Sequence, residues 1–204
     1  MIFDIFVSMA RIKTEKDVSR RDIIVKAAAE LFKEKGYKAA SMRDLAEQVG
    51  VEAASLYNHI KSKTELLHDV CFNVANRFFD HINELEASPT TTLEKIEALI
   101  RFHIRQMIEN YEEVLVSDRE WRHLSEPYLS NFHNQRRNYR KRFAGLIQKG
   151  VDEKQIKNID PSTSVLIILH AITGIDSWHR SVKRIGAAEL EENMVTLFVE
   201  GLKK

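Results

Sequence analysis

The chain has 204 residues, of which 44% are hydrophobic and 30% charged, and its formal net charge is +1. This composition excludes a disordered chain, and the length allows one large domain or two small ones. Seven glycines and three prolines are few, which favours helices over sheets with many turns. The one cysteine, Cys71, excludes a disulfide framework and a multi-cysteine zinc site, so we expect a cytoplasmic protein.

The N-terminal residues 1–18 are expected to form a flexible arm. Residues 1–8 are apolar but too short and too acidic for a signal peptide, and no run in the chain is long enough to span a membrane. Met9 is an alternative to Met1 as the natural start, and the sequence leaves this choice open. Residues 10–18 are polar and basic without a helical pattern, which is typical of a frayed terminus, and the alternative of an arm that reaches DNA is implied only by the family resemblance described below.

The stretch from Ser41 to Ile60 predicts two short helices joined by a tight turn. Ser41 is a favourable N-cap, and Asp44 three residues later can return a hydrogen bond to its amide. Gly50 ends the first helix, because glycine enters the left-handed conformation without a Cβ clash. Leu56 and Ile60 are four residues apart and anchor the second helix to the first. This geometry enters a DNA major groove, although an ordinary helical hairpin would give the same pattern.

The outward side chains of this motif are the candidate DNA contacts. On the second helix small residues come first and flat polar residues follow, and two lysines come directly after it, where phosphates would lie. Residues 11–68 include 12 basic and 9 acidic residues, a modest positive excess. The predicted DNA-binding residues are Ser41, Arg43, Ala53, Ala54, Ser55, Tyr57, Asn58, His59, Lys61 and Lys63.

From Arg20 to Val70 the chain resembles the DNA-binding domain of the TetR/AcrR family of bacterial transcriptional regulators. The resemblance covers about a quarter of the chain and is specific, because many residues match at fixed spacings. Glu52 and Ala54 depart from the family pattern, which often has Ser or Thr at the first position and Gly or Pro at the second. The matching residues are Ile24, Ala27, Ala28, Leu31, Phe32, Gly36, Tyr37, Ser41, Met42, Asp44, Leu45, Ala46, Gly50, Val51, Ser55, Leu56, Tyr57, His59, Ile60, Ser62, Lys63, Glu65, Leu66 and Leu67.

The resemblance implies an all-α fold with an N-terminal three-helix helix-turn-helix head and a C-terminal helical domain for ligand binding and dimerisation. We expect the head at residues 19–79, with its motif at about 41–60, and the C-terminal domain at residues 80–204. The implied function is a sequence-specific DNA-binding regulator, which we expect to be a repressor released from operator DNA by a small-molecule effector.

Helix ends are predicted from capping residues along the chain. Ser or Thr followed three residues later by an acidic residue predicts a capping box, and Asp before Pro predicts a capped start with proline in the first turn. The predicted starts are Ser19 with Asp22, Ser62 with Glu65, Thr91 with Glu94, Asp160 with Pro161, and Gly186, and the predicted ends include Gly36 and Gly150.

The last two predicted helices carry more apolar residues than one core face can bury. The first, from Val165 to Trp178, is apolar nearly all round, and the second follows Gly186 with a similar pattern. Such a surplus predicts a homodimer through a four-helix interface. The predicted interface residues are Ile168, Ile172, Ile175, Val195 and Phe198.

An aromatic stripe beside an arginine predicts an effector pocket in the C-terminal domain. A basic run of five cations lies between Arg136 and Arg142, and we expect most of them on a solvated face. Arg136 lies beside the stripe, where it could bind a carboxylate or phosphate. The predicted ligand-binding residues are His103, Met107, Trp121, Tyr128, Phe132 and Arg136, and His103 could equally be a hydrogen-bonded core histidine.

The scarcity of polar groups around this stripe favours a lipophilic effector. Glu120-Trp121-Arg122 ahead of the basic helix is loosely similar to family members that sense acyl-CoA thioesters, so such a thioester is the first candidate. A hydrophobic drug-like or cationic effector is the alternative.

Two other classes of function have weaker support. An enzyme is not expected, because the C-terminal part has no nucleophile elbow, P-loop, dinucleotide fingerprint or His-Glu-x-x-His run, and no cofactor is expected. A metal sensor would depend on His170, Asp176 and His179, which do not share a clean helix face, so no metal site is predicted.

Overall fold

The computed structural model describes residues 19–182 and 185–204, and the regular elements in these ranges are helices, with one isolated β-bridge between Ile156 and Lys203. The predicted all-α fold class is confirmed. The predicted arm at residues 1–18, and with it the choice between Met1 and Met9, lies outside the described residues. The helices are α1 (Arg20–Lys35), α2 (Met42–Gln48), α3 (Ala53–Leu56), α4 (Lys63–Ala87), α5 (Thr92–Glu109), α6 (Tyr111–Arg119), α7 (Tyr128–Asp152), α8 (Pro161–Thr173), α9 (Ile175–Arg180) and α10 (Ala187–Leu202), with a 3-10 turn (Trp121–His123) between α6 and α7.

Most of the predicted caps are present. Ser19, Ser41 and Thr91 each form the reciprocal capping box, and Asp160 accepts a hydrogen bond from the Thr163 amide with proline in the first turn of α8. At α4 only half of the predicted box forms. Ser62 accepts from the amide of Glu65, but the Glu65 carboxylate accepts from the Lys61 amide and from Arg21 instead of from the cap residue. The second half of that prediction is wrong because a cation from α1 competes for the carboxylate.

Glycine ends two helices in the head but not α7. Gly36 and Gly50 have positive φ angles of 77° and 69°, which glycine adopts without a Cβ clash. The prediction that Gly150 ends its helix is wrong, since α7 continues to Asp152. A Cβ atom on Gly150 would lie 2.7 Å from Cδ1 of Ile156, so the glycine allows a close approach instead. The predicted helix from Val165 to Trp178 is interrupted at Gly174, where α8 ends and α9 begins.

Two clusters of buried apolar residues fill the molecule. The body core draws on α5 to α10 and the second half of α4, and it includes Ile82, Ile96, Ile100, Ile104, Met107, Phe143, Ile147, Ile168, Ile172 and Val195. The head core draws on α1 to α4, and it includes Ala28, Phe32, Leu45, Leu56, Ile60, Leu66, Val70 and Cys71. Val116, Leu124 and Phe132 also belong to the head core, although they lie after α5 in the sequence. The head is therefore packed directly against α6, the 3-10 turn and the start of α7.

Polar contacts reinforce this junction. The Lys33 ammonium on α1 forms an ion pair with Glu112 on α6 at 3.0 Å and lies 5.2 Å from the centre of the Tyr111 ring. Inside the head, Arg21 bonds to Glu65 and Asp69 on α4 and to the carbonyl of His59 at 2.9 Å. These contacts fix α1 against both α4 and α6.

Among the described helices, none has the length and apolar character that crossing a membrane requires.

Candidate nucleic-acid interface and effector site

The helix-turn-helix is held rigidly from its inner side. The Val51 amide donates to the carbonyl of Ala46 at 3.0 Å across the turn at Gly50. Leu56 and Ile60 are fully buried in the head core, so α3 is fixed with its opposite face outward. This leaves a short helix standing on the surface with its small and polar side chains toward solvent, the arrangement that reads a major groove.

The predicted DNA contacts of this motif differ in exposure. Ala54, Ser55, Tyr57 and Asn58 are exposed, whereas Ala53 and His59 are half-buried, and Ala53 packs against the head core. The exposed group forms the surface that base edges and phosphates could contact.

The remaining predicted contacts lie at the starts of α2 and α4. Arg43 and Lys61 are exposed, and the Ser41 hydroxyl donates to Asp44 at 2.6 Å. A hydrogen bond from Lys35, with support from Ser41, lowers the pKa of Asp44 to about 2. Asp44 is thus a charged cap on α2. The Ser41 hydroxyl, which was predicted to contact DNA, already donates its hydrogen bond to this carboxylate.

Lys63 has a structural role that the sequence did not indicate. Its ammonium donates to the carbonyls of Tyr37 and Ala40, each at 2.8 Å, and to that of Lys38 at 3.3 Å. It also lies 4.6 Å from the centre of the Tyr37 ring. Lys63 ties the start of α4 to the loop between α1 and α2, so its protons already have acceptors within the head.

The six predicted ligand-binding residues do not form one group. His103 and Met107 are buried on α5, where Met107 belongs to the body core and the His103 ring stacks on Phe143 of the same core. Trp121 and Phe132 pack with the head core. Tyr128 is 44% exposed and meets the His68 ring edge-on at 4.4 Å. The predicted pocket is thus divided between two clusters that meet along α6 and α7.

His103 has the environment of a core histidine. Its Nε2 lies 2.7 Å from the Tyr139 hydroxyl, and both side chains are buried among aromatic rings. Burial lowers the pKa of His103 to about 3, so the ring is neutral at physiological pH. Burial likewise raises the pKa of Tyr139 well above its ordinary value. The pair satisfies its own hydrogen bonds inside the aromatic cluster.

Arg136 lies where head and body meet, beside the predicted aromatic stripe. Its guanidinium pairs with Asp118 at 2.6 Å and lies 5.6 Å from the centre of the Trp121 ring and 5.9 Å from that of Phe132. Asp118 could not be predicted as the partner of Arg136, because a break in the helices separates the two residues and no periodic pattern connects them.

Most of the residues predicted for the dimer interface are buried within one protomer. Ile168, Ile172, Ile175 and Val195 are each at most 3% exposed and belong to the body core. The outward apolar residues of the same helices are Leu166, Ile167 and Leu197, at 51%, 59% and 74% exposure. A groove of about 430 Å³ lies between α8 and α10 and is lined by residues that include Ile167, Leu197 and Phe198. The outward residues, with Phe198, are the surface that a partner protomer could cover.

The residues considered for a metal have other contacts. Asp176 accepts hydrogen bonds from Tyr111 and Arg119, and it also pairs with Arg180. His179 Nε2 lies 2.8 Å from the Met107 carbonyl. His170 Nδ1 lies 2.9 Å from the carbonyl of Leu166. In residues 19–182 and 185–204, no group of three or more His, Cys, Asp or Glu side chains is arranged to hold a metal ion.

Comparison with protein families identifies both parts of the chain. Residues 24–70 match the model of bacterial regulatory proteins of the tetR family, and residues 89–202 match the tetracyclin repressor-like C-terminal domain, which alone covers more than half of the chain. The chain belongs to the TetR family. It is a helix-turn-helix DNA-binding transcriptional repressor and not an enzyme.

Individual relatives are distant but align along most of their length. The repressor KstR2 of Mycolicibacterium smegmatis is 23% identical over 199 residues, covering 95% of this chain and 96% of the relative. The biofilm operon regulator IcaR of Staphylococcus aureus is 26% identical over 175 residues, covering 83% and 89%.

Solved structures share the fold. The ketosteroid transcriptional regulator KstR2 of Mycobacterium tuberculosis has a TM-score of 0.84 at 22% identity, covering 95% of this chain and all of that one. AibR, solved in complex with isovaleryl coenzyme A and operator DNA, has a TM-score of 0.76 at 20% identity, covering 88% and 97%. TetR regulators bind operator DNA and effectors. In this chain the helix-turn-helix is the candidate site for DNA, and the aromatic residues at the junction of head and body are the candidate site for an effector.

The two lysines after α3 should respond differently to removal. Lys61→Ala should reduce the slope of log affinity against log salt by about one at any DNA sequence, because one phosphate contact is lost, and should leave stability unchanged. Lys63→Ala should lower the free energy of unfolding by about 1.5–3 kcal/mol, because three backbone carbonyls lose a charged donor. Operator titrations at several salt concentrations and urea unfolding of both variants measure these effects. A stable Lys63→Ala protein with a reduced salt slope would contradict the assignment.

The buried neutral His103 should make stability sensitive to acid. Its folded pKa of about 3 lies below the unfolded value of about 6.5, so only the unfolded state binds the proton between these values, and stability falls as pH falls through this window. His103→Gln should reduce the slope of unfolding free energy against pH by about 1.4 kcal/mol per unit between about pH 5.5 and 4. His133→Gln, at an exposed position, is the control. Equal slopes for wild type and His103→Gln would contradict the neutral buried state.

Proposed function

We propose that this repressor acts as a homodimer that binds a near-palindromic operator and leaves it when a coenzyme A thioester of a lipophilic acid binds to the body. The observation that carries the DNA-binding half is the outward face of α3, fixed by buried Leu56 and Ile60 beside exposed Lys61. Two such faces related by a two-fold axis would read two half-sites about one helical turn apart.

The contacts within each half-site follow from exposure. Ala54 and Ser55 are exposed at the start of α3 and are small enough for the helix to approach base edges. Tyr57, Asn58 and Lys61 follow on the same surface and would contact phosphates. Glu52, the N-cap of α3, makes no capping hydrogen bond through its side chain and is exposed, so it could accept from a cytosine amino group.

The dimer is supported by the outward apolar surface of α8 and α10. Leu166, Ile167 and Leu197 project from helices whose other faces already fill the body core. Large apolar side chains at this exposure, grouped around a groove, are typical of a surface that another chain covers. A two-fold interface would place α8 and α10 of each protomer against the same helices of the other.

A lipophilic effector is supported by the aromatic side chains that cross the junction of head and body. The ring of Phe132 lies 5.5 Å from that of Phe72 on α4 and 6.1 Å from that of Trp121. A ligand inserted among these rings would press directly on elements that hold the head. AibR carries isovaleryl coenzyme A, which supports an acyl thioester over the alternative of a hydrophobic drug-like or cationic molecule.

A charge on the outward surface of α10 should separate the protomers. Leu197→Glu would bury an unpaired carboxylate in the interface at a cost of several kcal/mol, so we expect a monomer with greatly weakened operator binding. Thr196→Glu, exposed on the adjoining position but outside the groove, should remain dimeric. Sedimentation velocity at micromolar concentration measures both. A monomeric wild type, or a dimeric Leu197→Glu protein, would contradict this interface.

An acyl-CoA should release the operator where its parts do not. We expect a medium-chain acyl-CoA to weaken operator affinity by about 5- to 150-fold, the usual range of allosteric coupling. The matching free fatty acid and a lipophilic cationic dye should have little effect. Fluorescence anisotropy of labelled operator with each compound measures this. Release by the dye and not by any acyl-CoA would support the alternative effector class.

A further inference from the structure

The strongest feature outside the helix-turn-helix is a stack of cations and rings on Trp121. The Arg122 guanidinium lies 4.8 Å from the centre of the Trp121 ring and that of Arg136 lies 5.6 Å from it. The ring of His133 is stacked on Trp121 with centroids 5.9 Å apart and planes 22° apart. A flat aromatic surface is therefore surrounded by planar groups that carry or can carry positive charge.

The stack continues along α7 as a basic edge. At 100° per residue, His133, Arg136 and Arg140 lie within about 60° of one another on the helix surface. Arg140 donates to the carbonyl of Arg136 at 3.4 Å, so the two guanidinium groups lie on adjacent turns. Although the Arg140 side chain is exposed, partial desolvation of its guanidinium group and the nearby charge of Arg136 lower its pKa, so the two charges are held close together at a cost.

Negative charge does not balance this edge. Asp118 pairs with Arg136 at 2.6 Å, but in residues 19–182 and 185–204 no carboxylate forms an ion pair with Arg122 or Arg140. Glu120, the next acidic residue, lies 3.5 Å from His123 instead. The surface thus has more guanidinium N–H donors than nearby carboxylates accept from. A polyanion could accept hydrogen bonds from the remaining donors and balance their charge.

We propose that this surface binds the phosphorylated adenosine end of the coenzyme A effector, with the purine stacked against Trp121 and His133 and the phosphates held by Arg136 and Arg140. This inference rests on the proposed function, because it assigns one end of the ligand proposed there. Purines stack on indole and imidazole rings, and guanidinium groups bind phosphate through two parallel hydrogen bonds.

The geometry also gives Asp118 a defined role. Its carboxylate accepts a hydrogen bond from Nη2 of Arg136, a donor that a phosphate would need, so Asp118 would compete with the ligand. Removing Arg136 and removing the Asp118 charge should therefore change affinity in opposite directions. If the ion pair served only to hold α6 against α7, both changes would weaken binding alike.

The ligand's two ends would then lie on one continuous path. Phe132 contacts Trp121 on one side and Phe72 on the other, and Phe72 contacts the half-exposed Tyr128. An acyl chain that starts from a nucleotide on Trp121 would follow these rings into the junction of head and body. The polar end stays at the surface, where exposed Arg140 can reach it.

The test uses Trp121 as its own reporter. The chain has two tryptophans, so a Trp178→Phe protein fluoresces from Trp121 alone. We expect coenzyme A and adenosine 3′,5′-bisphosphate to change this emission with saturation, and adenosine or inorganic phosphate to do so only at far higher concentration. If inorganic phosphate competes as well as the bisphosphate, the surface is a general anion site and the proposal is wrong.

Four variants in calorimetry with coenzyme A, on the otherwise unchanged chain, complete the test. Arg136→Ala and Arg140→Ala should each weaken binding by about 10- to 100-fold, the loss of a charged hydrogen bond. Asp118→Asn should strengthen it. Lys141→Ala, which removes the same charge from an exposed position about 140° from Arg136 around the helix, should leave it unchanged.

The outcomes separate this inference from the proposed function. If acyl-CoA releases the operator from all four variants with wild-type affinity, the nucleotide end binds elsewhere and only the inference fails. If the bisphosphate binds on Trp121 with the predicted pattern but no acyl-CoA releases the operator, the site stands and the effector assignment fails. Equal weakening by Asp118→Asn and Arg136→Ala would also overturn the inference.

Discussion

The head of this protein depends on a core that it does not complete alone. Val116, Leu124 and Phe132 come from α6 to α7, yet they are buried with the side chains of α1 to α4. Separating these residues from the head would expose their side chains to water and cost roughly 1.5–3 kcal/mol of hydrophobic stabilisation for each one. The head therefore cannot turn freely on the body. It can change orientation only if α6 and the start of α7 move with it, and this constraint determines how any signal reaches DNA.

Helix α6 also contacts α9, which directly follows α8, one of the two helices of the proposed dimer interface. Tyr111 at the start of α6 donates to Asp176 on α9, which Arg119 at the end of α6 also contacts. The hydrogen bond from Tyr111, together with the Arg119 and Arg180 charges, lowers the pKa of Asp176, so this carboxylate is ionised at physiological pH and forms an ion pair with Arg119. Lys33 approaches the Tyr111 ring from the head side. Helix α6 thus contacts the head on one side and, on the other, α9, which is adjacent to the proposed dimer surface on α8. A ligand bound between α6 and α7, as proposed, would act on both at once.

Local sequence chemistry predicted the helices well because caps and left-handed glycines act over three or four residues. Ser19, Ser41, Thr91 and Asp160 cap as expected. Contacts beyond one helical turn were not predicted. Gly150 was predicted to end its helix, but it allows the close approach of Ile156 instead. The hydrogen bonds from Lys63 to the carbonyls of Tyr37 and Ala40 were likewise not predicted.

The candidate sites show the same limit. Periodicity identifies α8 and α10 as apolar on two sides, but it does not show which side faces the protomer's own core. The predicted interface therefore includes Ile168, which is buried, and omits Ile167, which is exposed. It also placed Arg136 correctly beside the aromatic stripe, since both lie on one helix. Asp118 was not predicted, because its relation to Arg136 exists only in three dimensions.

The energy that such a switch requires is within reach of these few contacts. Moving a two-state protein from 1:99 to 99:1 needs a ligand that prefers one state by about 5.5 kcal/mol. In the proposed dimer two ligands would share this, so each must supply about half. One charged hydrogen bond contributes about 1.5–3 kcal/mol, and each buried methylene of an acyl chain contributes about 0.8 kcal/mol. A ligand whose phosphate bonds to Arg136, and whose chain is buried beside Phe132, only in the DNA-released state would therefore have enough differential affinity without any rearrangement of the body core. Because Phe132 belongs to the head core, the ligand would act at the contact between head and body. This is the contact that has to change before the head can reorient and leave the DNA.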